Sequence, residues 1–300
     1  MKVLITGLGS ISRRHINAIR NLHPRAEIFA LRSGKTENSV PGVRDIYSLE
    51  EQNNTYDFII ISNPTSLHIG TIEELMYLET PLFIEKPLSN TLDGIEKTEK
   101  ELKDRDIKTY VACNLRFHPC IEYMKENLPG KRINEVNVYC GSYLPDWRPD
   151  RDFRELYSSK PELGGGVHLD LVHEIDYCYY LFGKPVHVKR YFSSKSSLGI
   201  ESVDYANYIL EYDGFNVNII LNYYRKPARR TVEILFPDKT WLADLSGFEI
   251  RDAGQLVFTS NSDMSGTYLE QMKYFTEIVL AGKPHFNSFS EAKEVLQICV

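Results

Sequence analysis

The chain has 300 residues, 42% of them hydrophobic and 25% charged, with a formal net charge of −6. That length exceeds one ordinary core and fits two soluble domains. The acidic balance argues against a nucleic-acid binder, which needs a basic face, and no apolar run is long enough to span a bilayer. The N-terminus, Met1-Lys2-Val3-Leu4-Ile5-Thr6-Gly7, has too short an apolar stretch for a signal peptide. Cys113, Cys120, Cys140, Cys178 and Cys299 are odd in number and include no CxxC pair. They read as small buried hydrophobes in a reduced cytoplasm, not as a zinc site or a disulfide framework.

The first part of the chain alternates short apolar runs with amphipathic stretches. Lys2–Thr6 reads as a buried strand and Ser10–Leu22 as a helix, with helical spacing through Ile11, His15, Ile16, Ile19 and Leu22. Ala26–Leu31 and Phe58–Ile61 are further strands, Ser66–Leu78 a helix, Leu82–Ile84 a strand, Leu92–Leu102 a helix and Thr109–Ala112 a strand. This alternation implies βαβ crossovers and a Rossmann-type parallel sheet over residues 1–117. Residues 118–300 read as a second, α+β domain on a large, mostly antiparallel open sheet. Its strand-like runs are Ile133–Tyr139, Val186–Phe192, Tyr205–Tyr212, Phe215–Tyr224 and Thr231–Phe236, with a hairpin signal at Asp213-Gly214. One long helix is expected over Val167–Leu181. The segments Tyr268–Leu280 and Glu291–Val300 read as helices, and the apolar pattern still running at Val300 suggests that the natural chain continues. The last helix is expected to pack back on the first domain.

Gly7-Leu8-Gly9-Ser10-Ile11-Ser12 lies between the first strand and the first helix. Gly7 permits a tight turn, Gly9 lets backbone approach a pyrophosphate, and the helix start at Ser10 and Ile11 offers unpaired N–H groups. Ser12 replaces the third glycine of the GxGxxG pattern. A carboxylate about 20 residues past the glycines would bind the adenosine ribose of NAD. Here the sequence is Ala30-Leu31-Arg32-Ser33-Gly34-Lys35. Arg32, Ser33 and Lys35, with Arg13 near by, suit a 2′-phosphate and point to NADP in preference to NAD. The alternative is a solvated basic turn that tolerates NAD.

Asn63, Pro64 and His68 follow the strand Phe58–Ile61 and are placed to pack on the cofactor. Glu85-Lys86-Pro87 closes the next strand. Oxidation of an alcohol needs a cation for the developing alkoxide and a base for the hydroxyl proton. Lys86 suits the first role, can relay the proton, and is held by Glu85. After Gly164-Gly165-Gly166, Asp170, His173 and Asp176 recur every three residues on the expected helix, so His173 reads as an acid/base oriented by a carboxylate. The scarcity of other clustered His or Cys argues against a metal. Arg116, Tyr143, Trp147, Arg148 and Arg151 suggest recognition of an anionic substrate, and the bland alternative pairs the arginines with Asp146, Asp150, Asp152 and Glu155.

Together, Gly7–Ile11 with Arg14-His15, Ser62-Asn63-Pro64, Glu85-Lys86-Pro87, Asn114–Pro119 and Gly164–Asp176 resemble the glucose–fructose oxidoreductase / inositol dehydrogenase / MocA (Gfo/Idh/MocA) family over essentially the whole chain. The resemblance implies NAD(P)-linked oxidation or reduction at a carbinol or keto carbon of a sugar, sugar nucleotide or sugar acid. It carries the family lysine onto Lys86 and the helix histidine onto His173, with Asp170 one residue closer to that histidine than the family spacing. Asn114, Trp147 and Arg148 are expected beside the cofactor, and Arg116, Tyr143 and Arg151 beside the substrate. It also implies a dimer or tetramer assembled through the second-domain sheet. A non-catalytic dinucleotide-binding regulator of the same fold is the alternative.

Overall fold

The computed structural model describes residues 1–34, 39–49 and 55–300. Two units divide the chain: Met1–Asn114 with Ser265–Gln297, and Leu115–Met264 with Ile298–Val300.

In the first unit, β1 (Lys2–Thr6), α1 (Ser10–Leu22), β2 (Glu27–Leu31), β3 (Val43–Ile46), β4 (Phe58–Ile61), α2 (His68–Leu75), β5 (Leu82–Glu85), α3 (Ile95–Asp104) and β6 (Thr109–Ala112) follow in order. The strands form one parallel sheet in the order β3-β2-β1-β4-β5-β6. The order changes direction between β1 and β4, the crevice where such sheets bind ligands. Val3, Leu4 and Ile5 of β1 and all four residues of β4 are fully buried. A parallel sheet covered on both faces requires such continuous apolar strands. The sequence pattern gave no hint of β3, a four-residue edge strand whose Arg44 and Asp45 break the apolar run. The helix expected over Ser66–Leu78 is regular only through α2, with 3-10 turns at Thr65–Leu67 and Met76–Leu78.

The second unit contains α4 (Pro119–Asn127), β7 (Glu135–Tyr143), α5 (Val167–Asp170), α6 (His173–Phe182), β8 (His187–Ser193), β9 (Tyr205–Tyr212), β10 (Phe215–Asn222), β11 (Tyr224–Leu235), β12 (Thr240–Asp244), β13 (Glu249–Asp252) and β14 (Gln255–Thr259). Its eight strands run β14-β13-β12-β11-β7-β10-β9-β8. Every neighbouring pair is antiparallel except β7 with β10. Tyr212 pairs with Phe215 across the Asp213-Gly214 turn, where Gly214 has φ +97°, so the hairpin forms as expected. β11 begins earlier than the sequence pattern suggested. It runs past Pro227 by shifting register between Tyr224 and Arg229, since proline has no N–H for the ladder. The three short strands β12–β14 were not anticipated.

The helix expected over Val167–Leu181 is two helices. Leu171, at φ −101° and ψ 32°, ends α5, and α6 starts afresh at His173. The preceding glycines are needed for packing: a Cβ on Gly165 would lie 2.2 Å from the Tyr157 carbonyl oxygen, and Gly166 has φ +134°.

The last two helices are α7 (Met264–Tyr274), extended by a π-helical turn at Phe275–Val279, and α8 (Phe289–Cys299). Within the first unit, Phe275 meets Phe58 and Phe83 edge-on at 5.0 and 5.1 Å between ring centres. All five cysteines are buried, and none is in a disulfide.

Candidate active site

Parallel pairing sets Thr6 beside Ile61 and Ile61 beside Ile84. The three segments that follow these strands, starting at Gly7, Ser62 and Lys86, therefore leave the same edge of the sheet side by side. Gly7 has φ +79°, and a Cβ there would sit 2.8 Å from the Asn63 Cα and the Ser62 carbonyl oxygen. Only glycine fits. A Cβ on Gly9 would meet nothing within 4 Å, so this turn is open. Gly9 caps α1 with no side-chain hydrogen bond, and the first turn, which starts at Ser10 and Ile11, holds no acidic residue. A helix N-terminus with no acidic residue in its first turn is chemically suited to a pyrophosphate. Ser12 is fully buried and donates to the Gly7 carbonyl at 2.9 Å, with its hydroxyl 3.0 Å from that of Ser62. The third pattern position therefore packs closely despite carrying a side chain.

Two buried histidines grip the Glu85-Lys86-Pro87 turn. His15 of α1 places Nε2 2.5 Å from Glu85 Oε1, while Glu85 Oε2 accepts the Lys86 backbone N–H at 3.0 Å. Glu85 thus holds the peptide that carries Lys86. His68 of α2 sets its ring nitrogens 3.0 Å from the carbonyl oxygens of Pro87 and Asn63. Burial pushes the His68 pKa down, against the pull of those carbonyls. Lys86 itself is half-buried at the strand end. Asn63 donates to the Thr71 hydroxyl at 2.7 Å, Pro64 is exposed, and Asn114 donates to the Thr267 hydroxyl at 2.7 Å. The sequence placed His15 on the periodic face of the first helix and in the Arg14-His15 motif, without a partner. A histidine on the buried face of the helix is the signal that a buried partner was needed.

The end of β2 differs from its sequence reading. Arg32 does not stand in a carboxylate-free neighbourhood: its Nη1 donates to Asp45 Oδ1 of β3 at 3.0 Å. Ser33 is exposed, and Lys35 lies outside the described residues.

In the second unit, His173 is buried at the start of α6. The helix break takes Asp170 out of the regular three-residue spacing. Its carboxylate accepts from the Tyr157 hydroxyl and, at 2.5 Å, from Tyr223. Asp176 grips Arg116 in a fork, Nε to Oδ2 at 2.9 Å and Nη2 to Oδ1 at 2.7 Å, with both side chains at most 1% exposed. Arg116, expected beside the substrate, is thus enclosed in an ion pair with Asp176, the carboxylate offered in the sequence as one partner for His173. Glu174, fully buried, lies 2.7 Å from Arg230 Nε.

Trp147 donates to the Ser142 hydroxyl at 2.9 Å and meets Tyr223 edge-on. The Lys226 ammonium lies 3.7 Å from the centre of the Tyr143 ring. Arg148 and Arg151 are exposed. Asp146, Asp152 and Glu155 engage Lys226, Arg154 and Lys160. No group of three or more His, Cys, Asp or Glu among the described residues is arranged to hold a metal ion.

Residues 1–112 match the model of the oxidoreductase family with an NAD-binding Rossmann fold, and residues 121–240 match the Gfo/Idh/MocA C-terminal domain. The chain belongs to the Gfo/Idh/MocA oxidoreductase family. It is 23% identical to myo-inositol 2-dehydrogenase of Thermotoga maritima over 326 aligned positions, covering 99% of this chain and 93% of that one. Among solved structures, an oxidoreductase from Thermotoga maritima superposes with a TM-score of 0.84 at 20% identity, covering 100% of this chain and 95% of that one. The WlbA dehydrogenase of Bordetella pertussis, in complex with NADH and UDP-GlcNAcA, gives 0.80 at 18% identity, covering 99% and 92%. At these identities the structural likeness speaks for the fold.

Proposed function

We propose that this protein is an NAD(P)-dependent dehydrogenase or reductase acting on a CH–OH or keto carbon of a sugar, sugar nucleotide or sugar acid. The observation that carries the reading is the alignment of Thr6, Ile61 and Ile84 across the sheet. It brings the open glycine turn, the Asn63 loop and Lys86 to one edge of the first unit. A bound nicotinamide supplies the hydride acceptor or donor. Lys86 stabilises negative charge on the substrate oxygen as the carbon is oxidised, and His173 takes the hydroxyl proton. Glu85 fixes the peptide of Lys86, and Asp170, tied to two tyrosines, fixes the turn before His173. Exposed Arg148 and Arg151, with Tyr143, are offered for the anionic part of a substrate. The same reading puts the protein in the cytoplasm, supported by five cysteines that form no disulfide. No helix among the described residues is long and apolar enough to cross a membrane. The half-exposed sheet face bearing Tyr139, Ile209 and Ile220 is the surface proposed for self-association.

The test is Lys86→Ala in an assay of NAD(P)-linked turnover over polyols, hexuronates and UDP-hexosamines. Loss of one charge-stabilising group should lower kcat about 10²–10³-fold, with NADH binding retained. Near-normal turnover would overturn the role of Lys86. Firm nucleotide binding with no turnover of any such substrate by the parent protein would favour the regulator.

A further inference from the structure

The parallel sheet delivers a carboxylate to the end of β2 from the neighbouring strand. The Arg32 N–H donates to the Ile46 carbonyl at 2.9 Å, so the chain just past β2 is still registered on the end of β3. One residue before Ile46, Asp45 alternates away from the buried face. It holds the Arg32 guanidinium at 3.0 Å, with the side chains 9% and 23% exposed for Arg32 and Asp45. In a Rossmann sheet the adenosine ribose lies at the end of the second strand. Arg-Ser-Gly at residues 32–34 holds no acid, and an acid is nonetheless present in space.

Resting on the dinucleotide reading above, we propose that Asp45 sets the nucleotide preference of this protein, favouring NAD over NADP. An ionised carboxylate offers about four acceptor sites, so a bond to Arg32 leaves capacity for a ribose hydroxyl donor. A 2′-phosphate would instead bring about two negative charges against the carboxylate. Its natural partner, Arg32, already has its charge matched and its side chain largely enclosed. Discrimination thus comes from a repulsive element as much as from an attractive one. Exposed Ser33 supplies a neutral donor and does not offset that repulsion.

The experiment is fluorescence titration of the whole protein with NADH and NADPH, for the parent chain and for Asp45→Asn, which keeps the shape and removes the charge. NADH should bind the parent at least about tenfold more tightly, a ratio worth about 1.4 kcal/mol. Asp45→Asn should close or invert that ratio by raising NADPH affinity. The ratio is insensitive to a general loss of stability, and Asp45→Ser provides the same reading if the amide fails to fold. A parent that prefers NADPH, or variants that leave the ratio within about twofold, would overturn the role of Asp45 and leave dinucleotide binding standing. Failure of the parent to bind either nucleotide would overturn the dinucleotide reading, and this proposal with it.

Discussion

At the carboxyl edge of the first sheet, the turn proposed to face the dinucleotide is mostly backbone: Gly7 at φ +79°, the open turn at Gly9, and the start of α1, which has no side-chain cap. In the second unit the buried polar side chains are instead joined to partners across long stretches of chain. Arg116 meets Asp176 across 60 positions, Tyr223 meets Asp170 across 53, and His118 meets the Leu245 carbonyl across 127. A backbone site is a local property, because glycine and a strand–turn–helix order suffice to make it. A site made of distant side-chain pairs exists only once the whole sheet has formed. The second unit should therefore be the more sensitive to single side-chain changes.

The largest effect expected on that ground follows from Arg116→Leu. The change leaves Asp176, 1% exposed, as a buried charge without its forked partner. Breaking a buried pair from one side costs about 3–5 kcal/mol, read as a drop in the denaturant midpoint. Replacing both residues by apolar ones of similar size should recover most of the loss, because the pair is costly to bury and worth little against a hydrophobic isostere. A loss below 1 kcal/mol in Arg116→Leu would mean that water reaches Asp176. The contrast with the first unit would then fail at its strongest point.

The same contrast explains what could be seen in the sequence. Lys2–Thr6, Ser10–Leu22, Phe58–Ile61 and Thr109–Ala112 are found as expected, because buried parallel strands are continuous apolar runs and α1 has a clear apolar face. The Arg116–Asp176 pair was not legible, because an arginine after a strand looks the same in sequence whether it meets a ligand or a carboxylate 60 residues on. The Asp170–His173–Asp176 spacing misled for a related reason. A three-residue repeat implies one face only if the helix is continuous, and here it breaks at Leu171, at φ −101° and ψ 32°. Asp45 was hidden in a strand too short and too polar to register as one.

A second, smaller effect tests the second unit through pH. Burial holds the His118 pKa down at about 4; Arg230 adds to the shift, and the Leu245 carbonyl opposes it. Its Nδ1 accepts the Cys120 N–H at 3.2 Å and Nε2 lies 2.9 Å from the Leu245 carbonyl, so the neutral ring donates from Nε2. The unfolded chain takes up this proton near the ordinary value of 6.5 and the folded chain only near 4. Stability from the neutral ring is full above pH 6.5 and is lost as pH falls toward 4. Within that window one such group contributes a slope of about 1.4 kcal/mol per pH unit. His118→Gln should flatten the acid side of the stability curve by roughly that amount, whatever it does to stability at neutral pH. An unchanged slope would show that His118 is solvated and titrates normally.

The smallest effect belongs to the first unit and bears most directly on whether its site is made of backbone. Ser12 donates to the Gly7 carbonyl at 2.9 Å and shares a contact with Ser62, whose hydroxyl in turn donates to the Thr6 carbonyl at 2.9 Å. Ser12→Ala removes one buried bond and should cost about 1 kcal/mol of stability. NADH affinity should stay within about twofold of the parent value, since the N–H groups that face the ligand are untouched. Ser12→Val adds bulk where the side chain is fully enclosed and should cost about 1–3 kcal/mol through overpacking. It should also weaken NADH binding, because the turn must shift to admit it. The two variants separate size from hydrogen bonding at this position. If Ser12→Ala alone lost NADH binding, the shape of the glycine turn would depend on the Ser12–Ser62 contact. The first unit would then resemble the second, a site made by side chains brought together from distant strands.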